Sequence, residues 1–359
     1  MTRFDLVLVG FGHVAQRFAA LLEEQRTALG HEQIEVRVVG IVTRRHGAAA
    51  SARGLDASTL ADRLARGERI GESRQELPAA EFIASAAAAS GAAKDGRLVV
   101  VETTTLEIAS GQPAIDHVRA GLACGAHVIT ANKGPAAFAY HALADAAAQA
   151  GRRFLFEGAV MDGVPIFNLV RETLPAVGIV GFRGVVNSTT NFILTAMEQG
   201  QPFAEALAEM QAMGIAESDA TLDVEGWDAA AKTAALANVL LDARLTPHDV
   251  ERVGISAGLK HAAMDARSAG RRLKLVARAG REEGRVAARV APEELPEDDL
   301  LAGLEGQQNA IVLHTELLGE IAVVQRGAGL TQTAYALLSD LITIGRDVNR
   351  GRAAERARR

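Results

Sequence analysis

Apolar positions in the first third of the chain fall into short dense runs, at residues 6–9, 36–42, 98–101 and 127–130, with polar, glycine-marked breaks between them. Short continuous apolar runs bounded by turn residues read as strands buried on both faces, whereas the stretches between them, 13–24 and 113–125, repeat their apolar residues at helical spacing. Strands alternating with helices predict a parallel sheet covered on both faces. Residues 47–94 are loop-rich and alanine-rich, and helices are placed there only loosely. After Pro135 a further long helix precedes a strand at 153–156.

From about Glu157 the pattern changes. Short strands, 178–186 and a hairpin over 272–290 turning at Glu283-Gly284, now mix with amphipathic helices, which predicts an α+β region. A helix over 331–342 closes the pattern. The expected fold class is α/β: a Rossmann-type dinucleotide-binding domain over residues 1–140, completed by a C-terminal helix within 327–359, with an α+β domain over 141–326. A length of 359 residues suits two domains.

Composition narrows the partners. A formal charge of −6 argues against nucleic acid, whose binders need a cationic face, and leaves a small-molecule substrate. The single cysteine, Cys124, excludes an internal disulfide framework and a paired-cysteine zinc site. No apolar stretch of membrane length and no cleavable signal is recognised, so a cytoplasmic location without membrane association is expected. The arginine-rich tail from Arg346 reads as a solvated end.

Chemistry enters first at the turn after the opening strand. Gly10-Phe11-Gly12-His13-Val14-Ala15 follows residues 6–9 and opens a helix, the context that a G-x-G-x-x-A fingerprint requires. Gly10 allows a tight turn, Gly12 lets backbone approach a pyrophosphate, and Ala15 lets helix and strand pack closely. The helix N-terminus then receives the phosphate. At the end of the second strand an NAD site usually carries an acidic residue, but here Thr43-Arg44-Arg45 stands, and guanidinium groups suit the 2′-phosphate of NADP better, with NAD as the alternative.

A second window, from Gly214 to Lys232, is dense in carboxylates. A helix starting near Gly226 puts Asp228 and Lys232 one turn apart on one face, an arrangement that in isolation is only a surface ion pair. Glu217, Asp219 and Asp223 precede it in a loop, however, and an acidic ring of this kind suits the ammonium group of an amino-acid substrate. No EF-hand spacing is present. The nine histidines are scattered, without a paired metal-binding spacing.

This window resembles the signature of the homoserine dehydrogenases: Glu217, Asp219, Asp223, Gly226, Asp228 and Lys232 keep its register. Thr130-Ala131-Asn132-Lys133, the segment from Glu157 to Pro165, Asn187-Ser188-Thr189-Thr190-Asn191, Asn309-Ala310, Gly327-Ala328-Gly329 and Thr333-Ala334 resemble further blocks of the family in order. Ser188 for glycine, Ala220 for proline, Ile215 for an aromatic, Met161-Asp162, and Arg326 before the glycines depart from it. The resemblance implies interconversion of L-homoserine and L-aspartate 4-semialdehyde by hydride transfer, and a homodimer formed through the second domain.

Residue by residue, the resemblance implies that Glu217, Asp223 and Asp228 bind substrate and that Lys133 and Lys232 work at the reacting oxygen. Cofactor contacts fall on Gly10, Gly12, His13, Val14, Ala15, Arg44, Arg45, Thr103, Thr104, Lys133, Gly329 and Thr333. Glu157 with the backbone of Val160, Asp162 and Val164 resembles a site for a monovalent cation such as sodium. The chain ends soon after its Thr-Ala helix, leaving no room for an appended regulatory domain, so insensitivity to threonine is expected. Lys232 is assigned as proton carrier and Lys133 as electrostatic partner. An ordinary lysine stays protonated up to a pKa of about 10.4; burial and neighbouring positive charge would have to hold Lys232 well below that. Another amino-acid or semialdehyde oxidoreductase of this architecture, or an inactive NADP-sensing regulator, remains an alternative.

Overall fold

The computed structural model describes residues 1–71, 78–213 and 219–357. They divide into two compact units, one of residues 1–135, 139–165 and 329–359, the other of 136–138 and 166–328. Each carries a six-stranded sheet.

In the first unit the strands are β1 (Thr2–Val9), β2 (Ile34–Thr43), β3 (Gly47–Ala50), β4 (Leu98–Glu102), β5 (His127–Thr130) and β6 (Phe154–Leu155), in the order β3-β2-β1-β4-β5-β6. All neighbours run parallel except β2 and β3. The reversal of strand order between β1 and β4 is where open α/β sheets bind ligands, at the carboxyl ends of the strands. Leu98–Glu102 is buried at every position, because helices cover both faces of a parallel sheet. The crossovers include α1 (His13–Glu24), α2 (Ala114–Ala123) and α3 (Gly134–Ala150), the last bending at Ala139.

Two expectations change here. Residues 47–94, read as mostly loop, hold β3 and two helices, Ala57–Ala65 and Ala79–Ser90. The strand β3 is not a parallel crossover strand but the return arm of a hairpin, which leaves Arg44 and Arg45 at its exposed tip. The C-terminal helix, Leu330–Ala357, runs well beyond the expected 331–342. Its face of Leu337, Leu338, Leu341 and Ile344 joins a core with Phe4, Leu8, Phe18 and Leu22. Phe18 is fully enclosed there, a burial worth roughly 1.5–3 kcal/mol. Through Ala357 the arginine-rich tail is therefore helix; Arg346, Arg350 and Ala353 are exposed, in keeping with a solvated end, yet Arg346 pairs with Glu32 and Asn349 Oδ1 accepts from the Thr2 hydroxyl at 2.7 Å.

The second unit orders its sheet β12-β11-β7-β9-β10-β8, with β7 (Ile179–Val185), β8 (Glu251–Arg252), β9 (Arg271–Glu282), β10 (Arg285–Pro296), β11 (Asn309–Thr315) and β12 (Gly319–Gln325). The hairpin β9–β10 turns at Glu283 and Gly284, both at positive φ, the geometry that matches the twist of paired strands. Two helices carry the candidate chemistry of this unit, α4 (Ser188–Glu198) and α5 (Trp227–Leu240). Among the described residues no helix is long and apolar enough to cross a membrane.

Candidate active site

The chain leaves β1 through Gly10, whose amide donates to the Val42 carbonyl at 2.9 Å. Gly10 has φ +85°, and a Cβ there would lie 3.0 Å from the Thr103 backbone. Both conformation and space thus demand glycine. Gly12 differs: its φ is −79°, and a Cβ would meet no protein atom within 4 Å. Nothing in the protein requires its smallness, so the open space before α1 fits a bound group lying against the backbone. No side chain caps α1 and no acidic residue occupies its first turn, which leaves the amide end positive. His13 is exposed, Val14 half-buried and Ala15 fully buried against the sheet.

The other nucleotide-side candidates gather nearby in the sheet. Thr103 follows β4 and donates through its amide to Val9 O at 2.8 Å and through its hydroxyl to Gly10 O at 3.2 Å. Thr104 donates through both its amide and its hydroxyl to Glu102 Oε1. The protons of both threonines are engaged, so toward a ligand their hydroxyls can only accept. Register pairs Val42 with Val9, which places Thr43 level with the glycine turn and Arg44 and Arg45 just past it. The Thr43 hydroxyl donates to Gly47 O at 3.0 Å and accepts from His46 N at 2.8 Å, closing the tip, and no acidic residue occupies it.

Lys133 stands at the N-terminus of α3, at the end of β5. Its neighbours are held: the Asn132 amide group donates to Thr104 O at 2.9 Å, and Asn132 Oδ1 accepts from Gly134 N at 2.8 Å. The turn beyond β6 carries the expected cation ligands. Glu157 is 2 % exposed and its amide donates to Asp340 Oδ2 at 2.9 Å. Asp162 has φ +47° and accepts from the Thr333 hydroxyl at 2.9 Å, and Thr333 in turn follows Gly329 at the start of the C-terminal helix. Val160 is buried, and the Val164 amide donates to Met161 O at 2.9 Å. Among the described residues no group of three or more histidine, cysteine or acidic side chains could hold a metal ion.

In the second unit two of the acidic candidates, Asp223 and Asp228, converge on Asn187. This residue caps α4, its Oδ1 accepting from Thr190 N at 2.9 Å. Its amide group donates to Asp223 Oδ1 at 2.7 Å and to Asp228 Oδ2 at 2.9 Å. Lys232 Nζ lies 3.0 Å from Asp228 Oδ2 and donates to the Val186 carbonyl at 2.7 Å. Gly226, at φ +82°, turns the chain into α5 so that Asp228 and Lys232 share one face. Both side chains are 15 % exposed, unlike a solvated surface pair. Burial, and then the neighbouring Asp228 carboxylate, push the Asp223 carboxyl above its ordinary range.

Asp223 lies in a one-turn helix, Thr221–Val224, rather than the expected loop, and Asp219 precedes it, accepting from Thr221 N at 3.0 Å. Glu217 falls outside the described residues. Ala220, where a proline is usual, packs in a small cluster with Met210, Phe192 and Leu207. The Ser188 hydroxyl accepts from Asn309 Nδ2 at 2.8 Å, joining two sequence blocks that lie far apart. Sequence reading named Asn187 only as part of a motif and missed its bridging of the carboxylates, as it missed Glu102. The local signals were an asparagine just before a helix and one acidic residue closing an apolar run.

Comparison with known proteins covers nearly the whole chain. Residues 10–157 match the family model described as homoserine dehydrogenase, NAD binding domain, and residues 165–342 match the one described as homoserine dehydrogenase. An NAD(+)-dependent homoserine dehydrogenase of Pseudomonas canavaninivorans is 39% identical over 98% of both chains. A homoserine dehydrogenase of Methanocaldococcus jannaschii is 37% identical over 95% of this chain and 98% of its own. The solved homoserine dehydrogenase from Thiobacillus denitrificans superposes with a TM-score of 0.78 at 30% identity, covering 96% of this chain and 74% of that one.

Proposed function

The chain belongs to the homoserine dehydrogenase family, and from that premise we propose how its own residues interconvert L-homoserine and L-aspartate 4-semialdehyde. It is an oxidoreductase acting on a CH–OH group with a nicotinamide cofactor, which supplies the acceptor and donor of hydride. The protein must then hold the substrate, move one proton at its oxygen and stabilise the alkoxide.

One observation carries the assignment of the proton carrier: Lys232 has two acceptors in place, Asp228 and the Val186 carbonyl. A neutral amine with both its protons on these groups keeps its lone pair for the hydroxyl proton of homoserine. Once it is an ammonium, the third N–H is the one to return to the aldehyde oxygen. Lys133 provides the positive charge that stabilises the alkoxide. Asp223 and Asp228, with Glu217, supply the negative charge that binds the substrate ammonium group.

The first unit is the cofactor domain and the second the substrate and dimerisation domain in this reading. Amides after Gly12 hold the pyrophosphate, with His13, Val14, Ala15, Thr103, Thr104, Gly329 and Thr333 around the dinucleotide. Arg44 and Arg45 select a 2′-phosphate, which favours NADP, whereas the Pseudomonas relative is named for NAD(+). Glu157 and the carbonyls of Val160, Asp162 and Val164 offer the hard oxygen donors that a monovalent cation takes. Exposed Leu317, Leu318 and Val324 at the β11–β12 edge support a homodimer through the second unit.

The test is a purified-enzyme assay following absorbance of NADPH or NADH with L-aspartate 4-semialdehyde, and the reverse with L-homoserine. Absence of turnover with either cofactor in both directions overturns the reading. Loss of two charge-assisted contacts predicts that the R44A/R45A double variant loses roughly 10-fold or more in kcat/KM for NADPH; an unchanged ratio of NADPH to NADH rates would reject the NADP preference.

A further inference from the structure

We infer that Glu102, which belongs to none of the recognised motifs, is the positioning residue that sets the turn bearing Lys133. The inference rests on the reading that Lys133 acts at the reacting oxygen. Glu102 is the last residue of β4 and is 0 % exposed. Its Oε1 accepts from the amide and hydroxyl of Thr104, and its Oε2 accepts from the Thr130 hydroxyl at 2.6 Å. Thr130 ends the neighbouring strand β5 and is paired with Glu102 in register.

The bonds continue into a closed ring. Thr130 Oγ1 accepts from Asn132 N at 2.9 Å, and the Asn132 side chain returns to Thr104 O at 2.9 Å. Asn132 Oδ1 also takes Gly134 N, and Ala131 N donates to Glu102 O at 3.2 Å. Residues on both sides of Lys133 are therefore fastened, through Thr130 and Asn132, to one buried carboxylate. His117 Nδ1 lies 3.6 Å from Glu102 Oε1.

Burying a carboxylate is costly, and the preceding residues of β4, Leu98-Val99-Val100-Val101, show that an apolar side chain suits this strand. Packing alone gives no reason for an acid at position 102. Its hydrogen bonds go to the two turns beyond β4 and β5 that carry Thr104 and Lys133. A group that stabilises an alkoxide must be placed within a fraction of an ångström, since small displacements lower the rate steeply. Fixing the path of the backbone around Lys133 is a role that accounts for the hydrogen bonds to Thr104 and Thr130.

The experiment compares Glu102→Gln, Thr130→Val, Thr130→Ser and Lys133→Met in the full-length enzyme, with melting curves, steady-state rates and fluorescence titration of reduced cofactor. Glu102→Gln and Thr130→Val should lower kcat about 10- to 100-fold, the loss typical of a misplaced catalytic group, while KM for homoserine stays within about twofold and, for Thr130→Val, which leaves Thr104 on Glu102, cofactor Kd does too. Thr130→Ser, which restores the hydroxyl, should recover most of that loss. In the Lys133→Met background, adding Glu102→Gln should slow the enzyme no further. A lowered melting temperature with wild-type kcat for Glu102→Gln and Thr130→Val, or fully multiplicative losses in the double variant, would overturn the inference. Wild-type kcat in Lys133→Met alone would instead remove the role given to Lys133.

Discussion

The two candidate sites are built from different materials. In the first unit the nucleotide end is made of backbone: Gly10 bent at φ +85°, Gly12 with nothing facing it, and amides at the start of α1 that no side chain caps. In the second unit the candidate acid–base centre is made of side chains, with Asn187 donating to Asp223 and Asp228 at 2.7 and 2.9 Å and Lys232 Nζ 3.0 Å from Asp228. Backbone recognition depends on small residues at fixed spacing and tolerates change elsewhere. A side-chain network depends on each member, and removing one leaves its partners buried without a donor or acceptor.

That contrast is sharpest at Lys232. Replacing it by Met should reduce kcat by roughly 10²–10⁴-fold, the range for a lost general acid–base group, with cofactor Kd unchanged by fluorescence titration. Retention of most activity would show that the second network is structural. The matching change in the first unit is Gly12→Val, whose Cβ meets no protein atom within 4 Å. Crowding against the cofactor costs about 1–3 kcal/mol, or about 5- to 150-fold in Kd, while the melting temperature should hold. A drop in melting temperature without loss of cofactor binding would break the comparison from that side.

Smaller effects arise within the network. Asn187→Ala leaves two neighbouring carboxylates without their shared donor, and kcat/KM for homoserine should fall about 10-fold. An unchanged value would mean that the carboxylates hold their places unaided. The smallest effect is that of pH. Because Asp223 is raised above the ordinary carboxyl range, it gains its proton at a higher pH than a free aspartate, whose pKa is ~3.9. The KM for homoserine should therefore climb as pH falls, beginning while the pH is still above that value, a rise of a few-fold that Asp223→Asn should abolish. The same titration bears on stability with a definite sign: the folded protein binds this proton more tightly than the unfolded chain, so this group favours folding increasingly as pH falls through its raised pKa.

Particular elements show how far sequence reading reached. Helix His13–Glu24 and strand His127–Thr130 were legible because their apolar spacing and bounding turns are local. The hairpin at Glu283-Gly284 was legible for the same reason. The length of the last helix was not legible because arginines dominate the composition after Gly345, while the apolar face before them packs on Phe4 and Phe18 at the other end of the chain and the Arg346–Glu32 pair spans 314 positions. The hairpin β2–β3 was missed because alanines at 48–50 carry little strand preference, and pairing with β2 overrides it.

Sequence alone settled the order of the parallel strands of the first unit and of the helices between them outside residues 47–94, the fingerprint at Gly10-Phe11-Gly12, and the reaction class implied by several motif blocks in register. Each of these depends on residues within a few positions of one another, where backbone stereochemistry and periodicity act directly. Only the folded chain decided that Asn187 joins Asp223 to Asp228, that Lys232 has the Val186 carbonyl as a second acceptor, and that Glu102 ties Thr104 to Thr130. Those contacts form between segments about 30 to 50 positions apart in the chain, and a hydrogen bond over such a separation exists only when the packing of whole elements has paid the entropy of bringing them together.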